Sequence, residues 1–217
     1  MSRSLGNDKL LASIGEYYDQ KFAAHGTTPH GSDWNGEESQ LARFDALLDM
    51  IDEDKESFIT INELGCGYGA MFGPISNRFL NFHYHGYELS PVIANAARNF
   101  ISQENATIHD SETITEIADY SFASGLFNVK LDSVIEVWED YVFSMMDEMF
   151  RKSKRAFAFN MLTSFSDVEF RKDYLYYGNP SRILDWCLSR YSRRVILKHD
   201  YERHEFVVLV KKPGFEV

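Results

Sequence analysis

The sequence has little with which to cross-link itself, enter a membrane or bind a polyanion. Of 217 residues only two are cysteine, Cys66 and Cys187, which leaves no disulfide framework and no thiolate zinc set. No apolar run is long enough to span a bilayer, and the start MSRSLGNDKL has no apolar signal core, so no membrane association is expected and the cytoplasm is the expected compartment. Basic residues are outnumbered, 22 Lys and Arg against 33 Asp and Glu, for a net charge of −11. That balance argues against nucleic acid or an anionic surface as partner. The short cluster Arg151-Lys152-Ser153-Lys154-Arg155 reads as the solvated end of a helix. Repeats, low-complexity tracts and linkers are missing too, so residues 1–217 read as one domain.

What is present is a core. Apolar residues make up 44% of the chain and aromatics 15%, enough to fill an interior and line a pocket. Residues 16–34 read as a short helix followed by a loop. Asn35-Gly36-Glu37-Glu38 resembles a helix start, and Leu41, Phe44, Leu47, Leu48 and Ile51 then recur at helical spacing up to the charged run 52–55. From there strand and helix alternate. Strands are predicted over 58–61, 82–88, 106–109, 120–127 and 156–161. Helices are predicted over 70–80, 91–104 (Ser90 as N-cap and Pro91 at its first position), 132–154 and 181–191. Two last strands, 194–199 and 205–211, stand too close together to be anything but an antiparallel hairpin. The pattern implies an α/β fold, a mostly parallel sheet with helices on both faces.

Between the first strand and its helix lies Glu63-Leu64-Gly65-Cys66-Gly67-Tyr68-Gly69-Ala70. Such a loop sits at the carboxyl edge of a parallel sheet, where ligands bind, and its glycines admit close approach and positive φ. The spacing Gly65-x-Gly67-x-x-Ala70 suits a dinucleotide loop, and an adenosyl amino acid is the alternative. Glu63 favours the latter, because a carboxylate there repels a pyrophosphate and attracts an ammonium. The closing hairpin is also more than a plain dinucleotide fold requires.

Glu63-Leu64-Gly65-Cys66-Gly67-Tyr68-Gly69 resembles the E/D-x-G-x-G-x-G motif of class I S-adenosylmethionine-dependent methyltransferases, and the resemblance extends from about residue 40 to the C-terminus. It implies a Rossmann-like, seven-stranded, mostly parallel sheet with a C-terminal antiparallel hairpin, and S-adenosylmethionine as cofactor. It implies that Glu63, Gly65, Cys66, Gly67 and Gly69 cradle the cofactor, Cys66 as a small spacer. It further implies that Glu88, with Leu89 beside it, holds the ribose, that Asp110 and Ser111 meet the adenine, and that Ser124 skirts the cofactor. Asp110 or Ser111 would serve equally as a helix N-cap.

The acceptor end is less defined. After Asn128 the chain departs from the N/D-P-P-Y motif of enzymes that methylate planar amines, so oxygen is favoured over nitrogen and the expected acceptor is a small molecule. Hydroxyl acceptors need a positioned base. Candidates are His25, His30 and Asp33, with His199 and His204 near the hairpin, and Asn128 to orient the acceptor. Residues 1–40 are expected to form a helical lid, carrying Tyr17, Tyr18 and Trp34. Just beyond it, Arg43 or Gln40 could reach the methionine carboxylate. A homodimer is one assembly left open. Two other functions are consistent with the residues: a non-catalytic partner subunit that retains the cofactor fold, and an NAD-dependent oxidoreductase.

Overall fold

A computed structural model describes residues 5–49, 51, 56–200 and 204–214, with side chains from residue 8 onward. The helices are α1 (Leu5–His25), α2 (Glu37–Leu48), α3 (Phe72–Arg78), α4 (Pro91–Phe100), α5 (Ile135–Lys152) and α6 (Pro180–Arg190). The strands are β1 (Ile59–Leu64), β2 (Phe82–Glu88), β3 (Ala106–Asp110), β4 (Ala118–Ala123), β5 (Ser153–Leu162), β6 (Val195–Lys198) and β7 (Glu205–Lys211). They form one seven-stranded sheet in the order β3-β2-β1-β4-β5-β7-β6. The first five strands run parallel, and β7 runs antiparallel between β5 and β6. The expected architecture is therefore the observed one. Among the described residues no helix is long and apolar enough to cross a membrane.

The central strands alternate strictly, which fills both faces of the sheet. On β5, Phe157, Phe159 and Met161 join a cluster with Trp138, Tyr141 and Met146 of α5 and Ile183 and Cys187 of α6. Ala156 and Ala158 point the other way, into a cluster with Phe44, Leu47 and Leu48 of α2 and Phe72 and Ile75 of α3. Leu10 and Ile14 place α1 in the first cluster.

Several boundaries differ from expectation, each for a local reason. α1 is far longer than the short helix foreseen, running from Leu5 until Gly26 takes φ 61° and caps it by donating from its N–H to Phe22 O. The N-cap of α2 is Gly36 rather than Asn35, and no side chain caps it. β4 stops at Ala123, not 127, because Gly125 turns at φ 74° and gives its N–H to Asn160 Oδ1. α5 begins at Ile135, after the Lys130 and Leu131 N–H groups have gone to Tyr174 O and Leu131 has taken φ 52°. Ser90 caps α4 with Pro91 at its first position, as expected. The charged run 52–55 lies outside the described residues.

Gly65, Gly67 and Gly69 all have positive φ, at 72°, 55° and 86°. Behind Gly69 a Cβ would meet Ile101 Cδ1 at 2.5 Å. Gly69→Ala therefore combines a disfavoured φ with a clash, and should cost about 2–3 kcal/mol in urea unfolding. Adding Ile101→Val removes the clashing methyl and should restore part of that loss, so Gly69→Ala should cost less in a chain that already carries Ile101→Val.

Candidate active site

The site grows from the carboxyl ends of β1, β2 and β4. As β1 ends, its chain crosses toward β2. The N–H groups of Gly65 and Cys66 both donate to Tyr87 O, at 2.8 and 3.0 Å. Glu88, the last residue of β2, fastens the loop, its carboxylate accepting from Gly67 N at 2.9 Å and from Ser90 N at 3.0 Å. One buried side chain thus sets both the glycine loop and the start of α4. Burial raises the Glu88 carboxyl above its usual value, against the backbone donors.

Glu63 is 2% exposed. Tyr84 OH donates to its Oε2 at 2.5 Å, and no cation pairs with it among the described residues. Burial, with some help from Glu88, pushes its carboxyl up to about 8. Cys66 is also buried and its thiol is pushed well up. Its Sγ lies 2.8 Å from where a Cβ on Gly86 would stand, so it acts as a close-fitting spacer, and no base activates it.

Above these residues opens a cavity of about 230 Å3. Its floor is the glycine loop with Glu63, Glu88 and Leu89, and Ser111 and Ser124 stand at its sides. Ser124 Oγ is buried without a hydrogen-bond partner among the described residues. The roof comes from Tyr18 of α1, from the 31–35 segment and from Gln40 and Arg43 of α2. Ser32 Oγ stands 3.0 Å from where a Gly67 Cβ would be, and the Trp34 ring closes to 2.7 Å on a Cβ at Gly125. Both glycines are thus needed for the roof to touch the loops beneath it. Arg43 pairs through Nε with Glu205 at 2.6 Å and donates from Nη1 to Ser39 O at 2.7 Å. Its Nη2 makes no hydrogen bond among the described residues.

Six expected site residues fall elsewhere. Asp110 is exposed and paired with Arg98, so Ser111 and Glu112, not Asp110, line the cavity there. His25 and His30 face each other, ring centres 5.8 Å apart, and neither lines the cavity. His199 binds Thr163 Oγ1 at 2.8 Å and His204 lies against Phe170, also away from it. Gly69 lies under the loop, against Ile101. Asn128 does line the cavity. Its Oδ1 accepts from Leu162 N at 3.1 Å, which fixes the amide and leaves Nδ2 unpaired among the described residues.

Asp33 is a further carboxylate at the cavity. It lines the cavity at φ 60°, accepting from Tyr17 OH at 2.6 Å and pairing with Lys21 at 2.6 Å. Lys172, Tyr174 and Leu175 also line the cavity, the Tyr174 ring centre 6.3 Å from that of Tyr17. No sequence signal marked those three. They lie in an irregular stretch, held because Tyr174 O takes the N–H groups of Lys130 and Leu131.

No family model matches the sequence. A Mycobacterium tuberculosis protein named "Putative methyltransferase Rv1506c" is 42% identical over 154 residues, covering 70% of this chain and 93% of the relative. The chain belongs to the class I S-adenosylmethionine-dependent methyltransferase family. The fold agrees. A Burkholderia thailandensis 1,6-didemethyltoxoflavin-N1-methyltransferase, crystallised with S-adenosylhomocysteine, superposes at TM-score 0.64, with 12% identity over 98% of this chain and 92% of its own. Magnesium protoporphyrin IX methyltransferase from Synechocystis superposes at TM-score 0.53, with 10% identity over 96% of this chain and 84% of its own.

Glu63 gives the methyltransferase a pH signature. Its folded value of about 8 stands above the ordinary 4.5, so the folded state holds a proton that the unfolded chain releases between those values. Stability of the ligand-free protein should therefore fall as pH rises through that window, by a few kcal/mol in all. Glu63→Gln should flatten the fall and unfold at higher urea than wild type at pH 8.5. An unchanged slope would show that another group sets it.

Proposed function

We propose that this methyltransferase binds S-adenosylmethionine in the cavity and methylates a small hydroxylated acceptor, oxygen being favoured over nitrogen. The observation that carries the cofactor reading is Glu63, a carboxylate buried beneath a glycine loop with no cation beside it among the described residues. Such a group is costly to charge until a cationic ligand arrives, and the ammonium of a methionine moiety is such a ligand. The other residues fit the same molecule. Arg43 Nη2 suits its carboxylate, and the free lone pairs of Glu88 suit ribose hydroxyls. Leu89 and Ser111 wall the adenine end, and Gly65 and Gly67 permit close backbone approach. Ser124 Oγ has a hydrogen bond to give that nothing among the described residues takes up.

The cofactor supplies an activated methyl group. The protein's own part is to hold the acceptor in line and to exclude water. Tyr18 and Tyr174 supply ring faces, and Asn128, its amide fixed by Leu162 N–H, orients a hydroxyl. Asp33 takes the hydroxyl proton, the role for which His25 and His30 lie too far off. Residues 1–40, as far as they are described, act as the lid. The chain continues past Asn128 as Val129-Lys130, without the proline pair of amine-methylating sites, which supports oxygen as acceptor atom.

The test is calorimetric. S-adenosylhomocysteine should bind with micromolar affinity and NAD should not bind. Glu88→Ala should weaken the former by about 2–5 kcal/mol, the usual cost of removing a charged hydrogen-bonded partner. Asp33→Asn should leave that affinity intact and slow turnover of hydroxyl acceptors in a metabolite panel by about 10²–10⁴-fold. Binding of NAD instead would overturn the cofactor reading, and turnover confined to amines would overturn the acceptor reading.

A further inference from the structure

Two polar residues that do not touch the cavity are buried directly behind it. Asn160 of β5 and Glu205 of β7 are both 0% exposed. They lie in antiparallel strands where Asn160 pairs in register with Val207 and Glu205 with Leu162. Apolar residues would satisfy these positions, as they do at 156–159 of β5 and 206–210 of β7, and a buried ion pair is rarely the most stable choice.

The contacts explain why they are polar, because they close a ring. Gly125 N donates to Asn160 Oδ1 at 2.7 Å. Asn160 Nδ2 donates to Glu205 Oε2 at 3.1 Å. Glu205 Oε1 pairs with Arg43 Nε at 2.6 Å. The Arg43 guanidinium lies over the Trp34 ring, 4.8 Å from its centre. Trp34 in turn presses on Gly125, where a Cβ would come within 2.7 Å of its ring. Three members of this ring, Gly125, Arg43 and Trp34, line the cavity, one on its floor side and two on its roof. The other two reach them through the sheet.

We propose that Glu205 and Asn160 are positioning residues that lock the Trp34–Arg43 roof to the Gly125 loop, so that closing the roof and shaping the cofactor wall are one event. Each link is a hydrogen bond, an ion pair or a ring contact, and such a network is either complete or costly. Loss of one link releases the roof and the Gly125 peptide together. The inference rests on the cofactor reading only for its effect on affinity. The coupling itself exists in the ligand-free protein.

The test uses protein labelled with 5-fluorotryptophan, whose three signals, Trp34, Trp138 and Trp186, are assigned with Trp34→Phe. Glu205→Gln keeps an acceptor for Asn160 but loses the charge on Arg43. Asn160→Ser frees the Gly125 N–H. Each should shift the ligand-free Trp34 fluorine signal while Trp138 and Trp186 stay in place, and each should weaken S-adenosylhomocysteine about tenfold. Paired, the two should lose no more than the worse of them, since they break one ring. An unmoved Trp34 signal, movement of all three signals, or additive losses would overturn the proposal. Wild-type protein gives a check independent of variant folding. Added S-adenosylhomocysteine should shift the Trp34 signal and slow exchange of the Gly125 amide together, and a change in one alone would overturn the coupling. If wild type bound no S-adenosylhomocysteine, the cofactor reading would fall, while the ligand-free signals would still judge the ring.

Discussion

Two carboxylates on neighbouring strands, Glu63 and Glu88, are taken out of water within the field of one another, with no cation beside them among the described residues. Everything at the carboxyl edge of the sheet follows from how the chain tolerates them. Glu88 is given two backbone N–H groups, and in taking them it fixes the glycine loop and the entry to α4. Glu63 is given one phenol and keeps its proton. The first arrangement is complete in the protein alone, and the second is completed by a cation. A structural acid and a ligand-seeking acid thus stand side by side, told apart by their donors and not by their burial.

The roof obeys a second constraint. It must lie close enough to keep water from the reacting atoms, yet it comes from segments outside the sheet. Glycine solves the approach at two points, Gly67 under Ser32 and Gly125 under Trp34. Charge holds it at others, through Asp33 with Lys21 and Arg43 with Glu205. The first pair keeps some contact with water and is worth less, whereas the second, buried against the sheet, is costly to break from one side. The roof is accordingly held more firmly at α2 than at α1.

Much of this was legible in the sequence, and the reason differs by region. The strand–helix alternation, the glycine loop from Glu63 to Gly69 and the short link before the last strand follow local rules of period, φ and length, so the mostly parallel sheet, the loop at its carboxyl edge and the closing hairpin could be read directly. The Ser90-Pro91 start of α4 was equally plain. Asp110 shows the limit of reading by position: it has the right place in the chain, but Arg98 one helix away claims it. His25 and His30 had the right chemistry and lay on the correct segment. The direction of a side chain from an irregular stretch is a tertiary fact, and the cavity received Asp33 instead. Asn160 and Glu205 read as ordinary strand residues, because nothing in a strand's period announces what lies across the sheet. The length of α1 was missed because its apolar residues, Leu10 and Ile14 among them, form no sustained stripe.

The cofactor floor and the acceptor walls are therefore built from different kinds of chain. The floor consists of strand ends and the turns they impose, which the sheet determines and which this fold shares across proteins with little sequence in common. The acceptor walls consist of α1, the 31–35 segment and residues 172–175, which attach to the sheet through a few side chains and one carbonyl. On the proposed reading, substitutions in the 31–35 segment and residues 172–175 reshape the acceptor pocket at smaller cost to the fold than substitutions in α1, whose Leu10 and Ile14 belong to the core. Substitutions at Glu88 cannot, since its carboxylate holds both the glycine loop and the start of α4. On the same reading acceptor choice is freer to change than cofactor binding, and the proposed Glu205–Asn160 ring is where the variable part is tied to the fixed one.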